Sequence, residues 1–162
     1  LVKHLTEEGA TVIINDINEA RLREVSEIYG SEIIMGDAIY DAEMDIYAPC
    51  ALGATVNDDT LSRLKCSIIA GAANNQLEHE KVHGEAIKYR GIVYAPDFLI
   101  NAGGLINVYS ELHGYDREQA LERTRNIYDT TLEILVKAEQ EDITTHEAAL
   151  SIAEQRIDNA KA

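Results

Sequence analysis

The sequence predicts an α/β fold, a doubly wound parallel sheet with helices over both faces, and three observations predict it. Short apolar runs alternate with segments of helical periodicity through the first hundred residues. Two of those runs, Val12-Ile13-Ile14 and Ile68-Ile69-Ala70, have no polar residue at alternate places, as strands buried on both faces require. From Asp97 onward the pattern is wholly helical. A single domain is expected, with an α/β core over about residues 1–100 and a helical part over about 101–162.

The elements follow in order. Leu1, Val2 and Leu5 share one helical face, and Gly9 stands where a left-handed residue ends many helices. Residues 11–16 form a short apolar run that ends in polar Asn15 and Asp16, which predicts a strand. Asn18 is suited to cap the next helix, because its side-chain oxygen can accept an orphan backbone N–H, and Gly30 closes that helix. Strands are predicted near 32–35, 45–48, 67–70 and 92–95, with helices near 59–64 and 79–89. The helical part has an Asn-Ala-Gly-Gly segment, a break at His113-Gly114, and long helices near 117–139 and 144–159. Thr145, Ala148, Ala149 and Ile152 give the last helix an apolar stripe. No internal repeat, low-complexity tract or Pro-rich linker interrupts the pattern.

Composition narrows the function classes. Lys and Arg total 14 against 29 Asp and Glu, a net charge of −15, which opposes broad contact with a phosphate backbone or an anionic bilayer. Neither nucleic acid nor membrane is expected as a partner. Hydrophobic residues make up 46% with no Trp and one Phe, so the core is expected to be aliphatic. Cys50 and Cys66 stand beside apolar runs without CxxC or Cys/His spacing, which predicts two buried free thiols and no metal site. The first nine residues lack the pattern of a secretory leader, and no run of about 18 apolar residues occurs, so a soluble cytoplasmic protein is expected.

In open α/β sheets ligands lie beyond the carboxyl ends of the strands, which directs attention to four places. Asp16 follows the first strand; a carboxylate there can accept both ribose hydroxyls and repel a 2′-phosphate, favouring NAD over NADP, or it can simply cap a helix. Ala48-Pro-Cys-Ala-Leu-Gly53 offers small residues past which a flat ring can approach the backbone, although an ordinary turn reads the same way. Gly71-Ala-Ala-Asn-Asn-Gln76 combines small side chains with three consecutive amides, which supply directional donors and acceptors or cap a turn. Pro96-Asp-Phe-Leu-Ile-Asn-Ala-Gly-Gly104 places Asn101 before a glycine pair, as a ligand-holding amide or a helix cap. His4, His79, His83, His113 and His146 show no catalytic spacing and read as surface or packing histidines.

Read together, Asp45-Ile-Tyr-Ala-Pro-Cys-Ala-Leu-Gly53, Gly71-Ala-Ala-Asn-Asn-Gln-Leu77 and Tyr94-Ala-Pro-Asp-Phe-Leu-Ile-Asn-Ala-Gly-Gly104 closely resemble the cofactor domain of the Glu/Leu/Phe/Val dehydrogenase family. The resemblance spans essentially the whole chain, including Ile106-Asn-Val108 and Glu111-Leu-His-Gly-Tyr115. It implies a Rossmann-type NAD(P)-binding domain and reversible oxidative deamination of an L-amino acid, with branched-chain substrates foremost, to the 2-oxo acid and ammonia, NAD accepting the hydride. By resemblance, Asp16 binds the adenosine ribose; Ala48, Cys50 and Ala51 line the dinucleotide cleft; Ala72, Ala73 and Asn74 lie near the nicotinamide ribose; Asn101 reaches the nicotinamide and the substrate; and Ile134 helps enclose the substrate side chain. It also implies a homo-oligomeric enzyme.

The 162 residues lack the family's first strand and its Gly-rich phosphate turn, which would stand just before Leu1. The catalytic lysine and aspartate belong to a separate substrate domain, so no catalytic residue is assigned here. The expectation is a fragment that is inactive and poorly stable by itself, because the missing strand would sit at the centre of the sheet. Aromatic or valine specificity, a non-catalytic NAD-binding module and a gene remnant remain open on sequence grounds.

Overall fold

The computed structural model describes residues 1–161, and it divides into two compact units. The first comprises Leu1–Glu43 with Arg63–Lys65; the second comprises Met44–Ser62 and the chain from Cys66 onward.

In the first unit, α1 (Val2–Glu7), β1 (Ile13–Ile14), α2 (Glu19–Tyr29) and β2 (Glu32–Ile33) follow the predicted order. Gly9 adopts φ 87°, the left-handed turn expected after the first helix. β1 and β2 run parallel with α2 as their crossover, and bonds from Glu32 N–H to Val12 O and from Ile34 N–H to Ile14 O carry the pairing past the two-residue strands. Asn18 caps α2 by accepting the Arg21 N–H at 3.0 Å, and Gly30 ends it at φ 69°. Residues 36–41 form a 3₁₀ turn that periodicity does not reveal, because it is too short to show a repeat. Arg63 grips it, donating to both Asp41 oxygens at 3.0 and 2.8 Å and to Asp37 O at 2.7 Å. That hydrogen-bonded guanidinium holds the Asp41 carboxyl below the usual range.

The second unit holds β3 (Ile46–Tyr47), α3 (Asp58–Arg63) as far as Ser62, β4 (Ile68–Ile69), α4 (Glu80–Tyr89) and β5 (Val93–Tyr94), with the strands parallel in the order β3-β4-β5. Tyr47, Ile69 and Tyr94 share one buried face of this sheet. Their neighbours Ile46, Ile68 and Val93 align across the other face, where Ile46 is 50% and Val93 41% exposed. Along the central strand β4, Ile68 is half-buried and Ile69 buried, as its apolar run leads one to expect, and the exposed positions fall on the edge strands β3 and β5.

The helical part is α5 (Asp97–Ile100), α6 (Gly103–Leu112), α7 (Arg117–Glu141) and α8 (Thr145–Lys161). Asp116 caps α7 by accepting the N–H groups of Glu118 and Gln119, and Asp142 ends it at φ 53°. Ile134 and Ala138 of α7 meet Ala148, Ala149 and Ile152 of α8 in a buried cluster, with Leu99 and Ile143 packed against it. The predicted apolar stripe of the last helix is thus its packing face.

Before α8, Thr144 N–H and Oγ1–H both donate to Glu147 Oε2, and Glu147 N–H returns a bond to Thr144 Oγ1, a reciprocal cap that lowers the Glu147 pKa. A depressed carboxylate pKa adds stability that is complete above the ordinary value of 4.5 and is lost as pH falls through the folded value. Glu147→Gln should therefore lower the melting temperature of the full-length protein at pH 7, with the gap from wild type closing as pH falls below about 4.5. Circular-dichroism melts across that range check this; a gap independent of pH refutes it.

Candidate functional site

Within the second unit the segments leaving β3 and β4 are stitched together by backbone hydrogen bonds. Ala73 N–H donates to Pro49 O at 2.9 Å, Ala54 N–H to Asn75 O at 2.7 Å and Val56 N–H to Gln76 O at 3.0 Å. Glu78 N–H then donates to Val56 O, completing a parallel bridge between Val56 and Leu77. The approach is close enough to exclude side chains: a Cβ on Gly71 would lie 2.1 Å from Pro49 O, and one on Gly53 2.9 Å from Asn74 O. These two glycines therefore serve backbone-on-backbone packing. Ala54 and Asn75, joined by the shortest of those bonds, are both left-handed non-glycine residues, at φ 57° and 51°. Each costs about 1–3 kcal/mol of backbone strain, which the surrounding bonds hold in place.

Gln76 is fully buried at the middle of this interlock. Its Nε2 donates to Gly71 O at 2.6 Å and to Ala73 O at 3.0 Å, while its backbone N–H donates to Asp97 Oδ2 at 3.1 Å. Asp97 is buried as well, and its Oδ1 accepts the Phe98 N–H at 2.8 Å, so each carboxyl oxygen takes a backbone N–H. Tyr94 lies against it, its hydroxyl accepting the Asp97 N–H at 3.3 Å, and burial together with the carboxylate raises the phenol pKa. Sequence reasoning marked Gln76 within the run of amides and Asp97 within the segment after the last strand but gave neither a role, because bonds to loop carbonyls leave no periodic signature.

Of the residues singled out from the sequence, Ala48 is half-buried, Cys50, Ala51 and Ala72 are exposed, and Ala73 is buried with its N–H and carbonyl both engaged. Asn101, at the end of α5, donates from Nδ2 to Asn74 Oδ1 at 2.6 Å. Two amides 27 residues apart thus meet at the carboxyl ends of β4 and β5. This pairing occupies one donor of Asn101 and one lone pair of Asn74, and leaves each amide further hydrogen-bonding capacity. In the first unit Asp16 follows β1 as an exposed carboxylate whose Oδ1 accepts the Asn18 N–H at 2.8 Å. Ile134 lies 2% exposed in the α7–α8 cluster.

Cys50 corrects an expectation: it is exposed, and only Cys66 is buried. The chain turns outward after the buried Pro49, so the apolar strand before Cys50 does not predict its burial. Burial pushes the Cys66 thiol pKa up. A thiol-specific reagent at neutral pH should therefore label Cys50 promptly and Cys66 only on unfolding, as peptide mapping by mass spectrometry would show; equal labelling of both contradicts these burials. His83 is also buried, with Nδ1 accepting the His79 N–H at 2.9 Å and Nε2 3.3 Å from Asp58 Oδ1, so it braces the start of α4. Among the described residues no group of three or more His, Cys, Asp or Glu side chains converges as metal ligands, and no helix is long and apolar enough to cross a membrane.

A family model described as glutamate/leucine/phenylalanine/valine dehydrogenase matches residues 3–162. The chain is 50% identical over 161 residues to leucine dehydrogenase of Bacillus cereus, covering 99% of this chain and 44% of that protein. It is 46% identical over 158 residues to phenylalanine dehydrogenase of Bacillus thermotolerans, covering 94% of this chain and 41% of that protein. The crystal structure of L-tryptophan dehydrogenase from Nostoc punctiforme superimposes with a TM-score of 0.96 at 46% identity, over 98% of this chain and 47% of that one. The chain thus spans less than half the length of the relatives it matches.

Proposed function

Because the chain belongs to the glutamate/leucine/phenylalanine/valine dehydrogenase family, we propose that it is the NAD-binding part of an amino-acid dehydrogenase that converts L-leucine and other branched-chain amino acids reversibly to 2-oxo acids and ammonia. The observation that carries the reading is the Asn74–Asn101 pair beside small-residue loops at the carboxyl ends of parallel strands, where dinucleotides bind in such folds. The parallel β1-α2-β2 and β3-α3-β4-α4-β5 crossovers support a Rossmann-type domain.

The residues fit the cofactor. Ala48, Cys50 and Ala51 offer short side chains along the proposed dinucleotide cleft, and Ala72, Ala73 and Asn74 do so at the nicotinamide ribose. Bound NAD supplies the hydride acceptor. Asn101 holds the carboxamide and the substrate side through its remaining amide capacity, with Asn74 fixing its orientation. Asp16 accepts the adenosine ribose hydroxyls and disfavours a 2′-phosphate. Ile134 bears on the substrate pocket from within the cluster against which Leu99 of α5 packs, since its own side chain is buried. The acid–base groups are proposed to lie outside these residues, and the whole enzyme to be a homo-oligomer. Leucine is favoured by the 50% identity to a leucine dehydrogenase, while the phenylalanine and tryptophan enzymes set the competing substrates.

The test is the appearance of reduced cofactor by ultraviolet absorbance, with the full-length protein and L-leucine, L-valine, L-isoleucine, L-phenylalanine, L-tryptophan and L-glutamate, each offered with NAD and with NADP. Turnover of the branched-chain set with NAD is the expected result. Activity only with an aromatic acid or glutamate moves the assignment within the family; NADH binding without turnover of any substrate leaves a cofactor-binding module. In the same protein NADH should slow labelling of Cys50, and unprotected labelling would remove Cys50 from the proposed cleft.

A further inference from the structure

Residues 71–76, which hold the proposed nicotinamide-ribose contacts Ala72, Ala73 and Asn74, lie in neither helix nor strand. Their conformation has to come from individual bonds, and Gln76 supplies an unusual share of them. Its two side-chain bonds hold Gly71 O and Ala73 O, on either side of Ala72. Its carbonyl accepts Val56 N–H from the segment after β3, and its N–H reaches Asp97, four residues before Asn101. One side chain and its peptide groups thereby tie together three segments, two of which bring Asn74 and Asn101 to 2.6 Å.

The chemistry of the position argues against simple filler. Gln76 Oε1 is buried without a hydrogen-bond partner among the described residues, a desolvation cost that an apolar side chain of the same length avoids. The position carries an amide despite that burden, and the amide's use is its pair of donors to the loop carbonyls. Resting on the cofactor reading above, we propose that Gln76 is a positioning residue: it sets the Ala72–Asn74 loop, and through Asp97 the Asn74–Asn101 pair, for the nicotinamide half of NAD. Its effect is expected on that half, because Gln76 contacts the loops that hold Asn74 and Asn101, whereas the adenosine ribose is assigned to Asp16.

The experiment uses the full-length protein with Gln76→Met, which keeps length and removes both donors, and Gln76→Glu, which keeps shape and sets a carboxylate oxygen against carbonyl oxygens. NADH binding is followed by nicotinamide fluorescence and AMP binding by calorimetry, at a temperature where circular dichroism shows each variant folded. Losing two hydrogen bonds of ordinary strength should weaken NADH about tenfold in both variants, with AMP affinity within about twofold of wild type. KM for NAD should rise by the same factor. Unchanged NADH affinity in a folded variant overturns the role, and so does equal weakening of NADH and AMP, which is what a merely structural residue would give. A wild-type protein that binds neither NADH nor AMP overturns the cofactor reading itself and the proposal with it. If Gln76→Met does not fold, the comparison stands on Gln76→Glu.

Discussion

Gly71→Ala is expected to destabilise the protein by about 3 kcal/mol, a large share of the roughly 5–15 kcal/mol that keeps a domain of ordinary marginal stability folded. A Cβ at that position would lie 2.1, 2.5 and 2.7 Å from the O, N and C of Pro49. All three are backbone atoms, so no side chain can swing aside. The contact is pinned from both directions: Ala70 N–H bonds Tyr47 O just before it and Ala73 N–H bonds Pro49 O just after it. Relief requires β3 and β4 to part at their carboxyl ends and to break those bonds, leaving polar groups unpaired. Gly104→Ala is the matching control, because a Cβ there meets nothing within 4 Å and Gly104 lies in α6. That change should be neutral or stabilising by about 0.5–1 kcal/mol. Urea denaturation of the full-length variants measures both; a Gly71→Ala protein as stable as wild type would mean that the two loops do not pack in this way.

That clash also shows what a sequence hides. Gly71 stands among small residues whose evident reading is room for a ligand, yet its hydrogen faces Pro49, and only three dimensions show that backbone fills the space. Elements whose signals are local are legible beforehand. Asn18 and Gly30 bracket α2 because caps act within one turn, and the strands fall inside the apolar runs. The 3₁₀ turn at residues 36–41 was not legible, since it depends on Arg63, more than twenty residues away. Exposure along the edge strands is not written in the sequence for a related reason. An unbroken apolar run allows burial on both faces but does not compel it, and Ile46 and Val93 are exposed. At the site, Asn74 and Asn101 were each legible as amides after a strand, whereas their contact and the part of Gln76 beneath them arise from the crossing of separate loops.

Asp16→Ser is expected to shift the ratio of kcat/KM for NAD to that for NADP by about a hundredfold to a thousandfold toward NADP. The proposed carboxylate accepts hydrogen bonds from ribose hydroxyls, and bonds to a charged group are individually worth enough that their loss should lower kcat/KM for NAD by roughly tenfold to a hundredfold. On the NADP side the same carboxylate opposes a 2′-phosphate bearing nearly two negative charges; removing it in a partly screened setting should gain roughly tenfold. The two effects multiply in the ratio. Serine is preferred to alanine because Asp16 Oδ1 accepts the Asn18 N–H at 2.8 Å, a turn that a hydroxyl can also make, so the start of α2 is preserved. Initial rates with both cofactors on the full-length protein, at one ionic strength, give the result. A large loss with NAD and no gain with NADP would assign Asp16 to ribose binding without discrimination, whereas an unchanged ratio and unchanged NAD kinetics would reduce it to the helix cap that the Asn18 contact already describes.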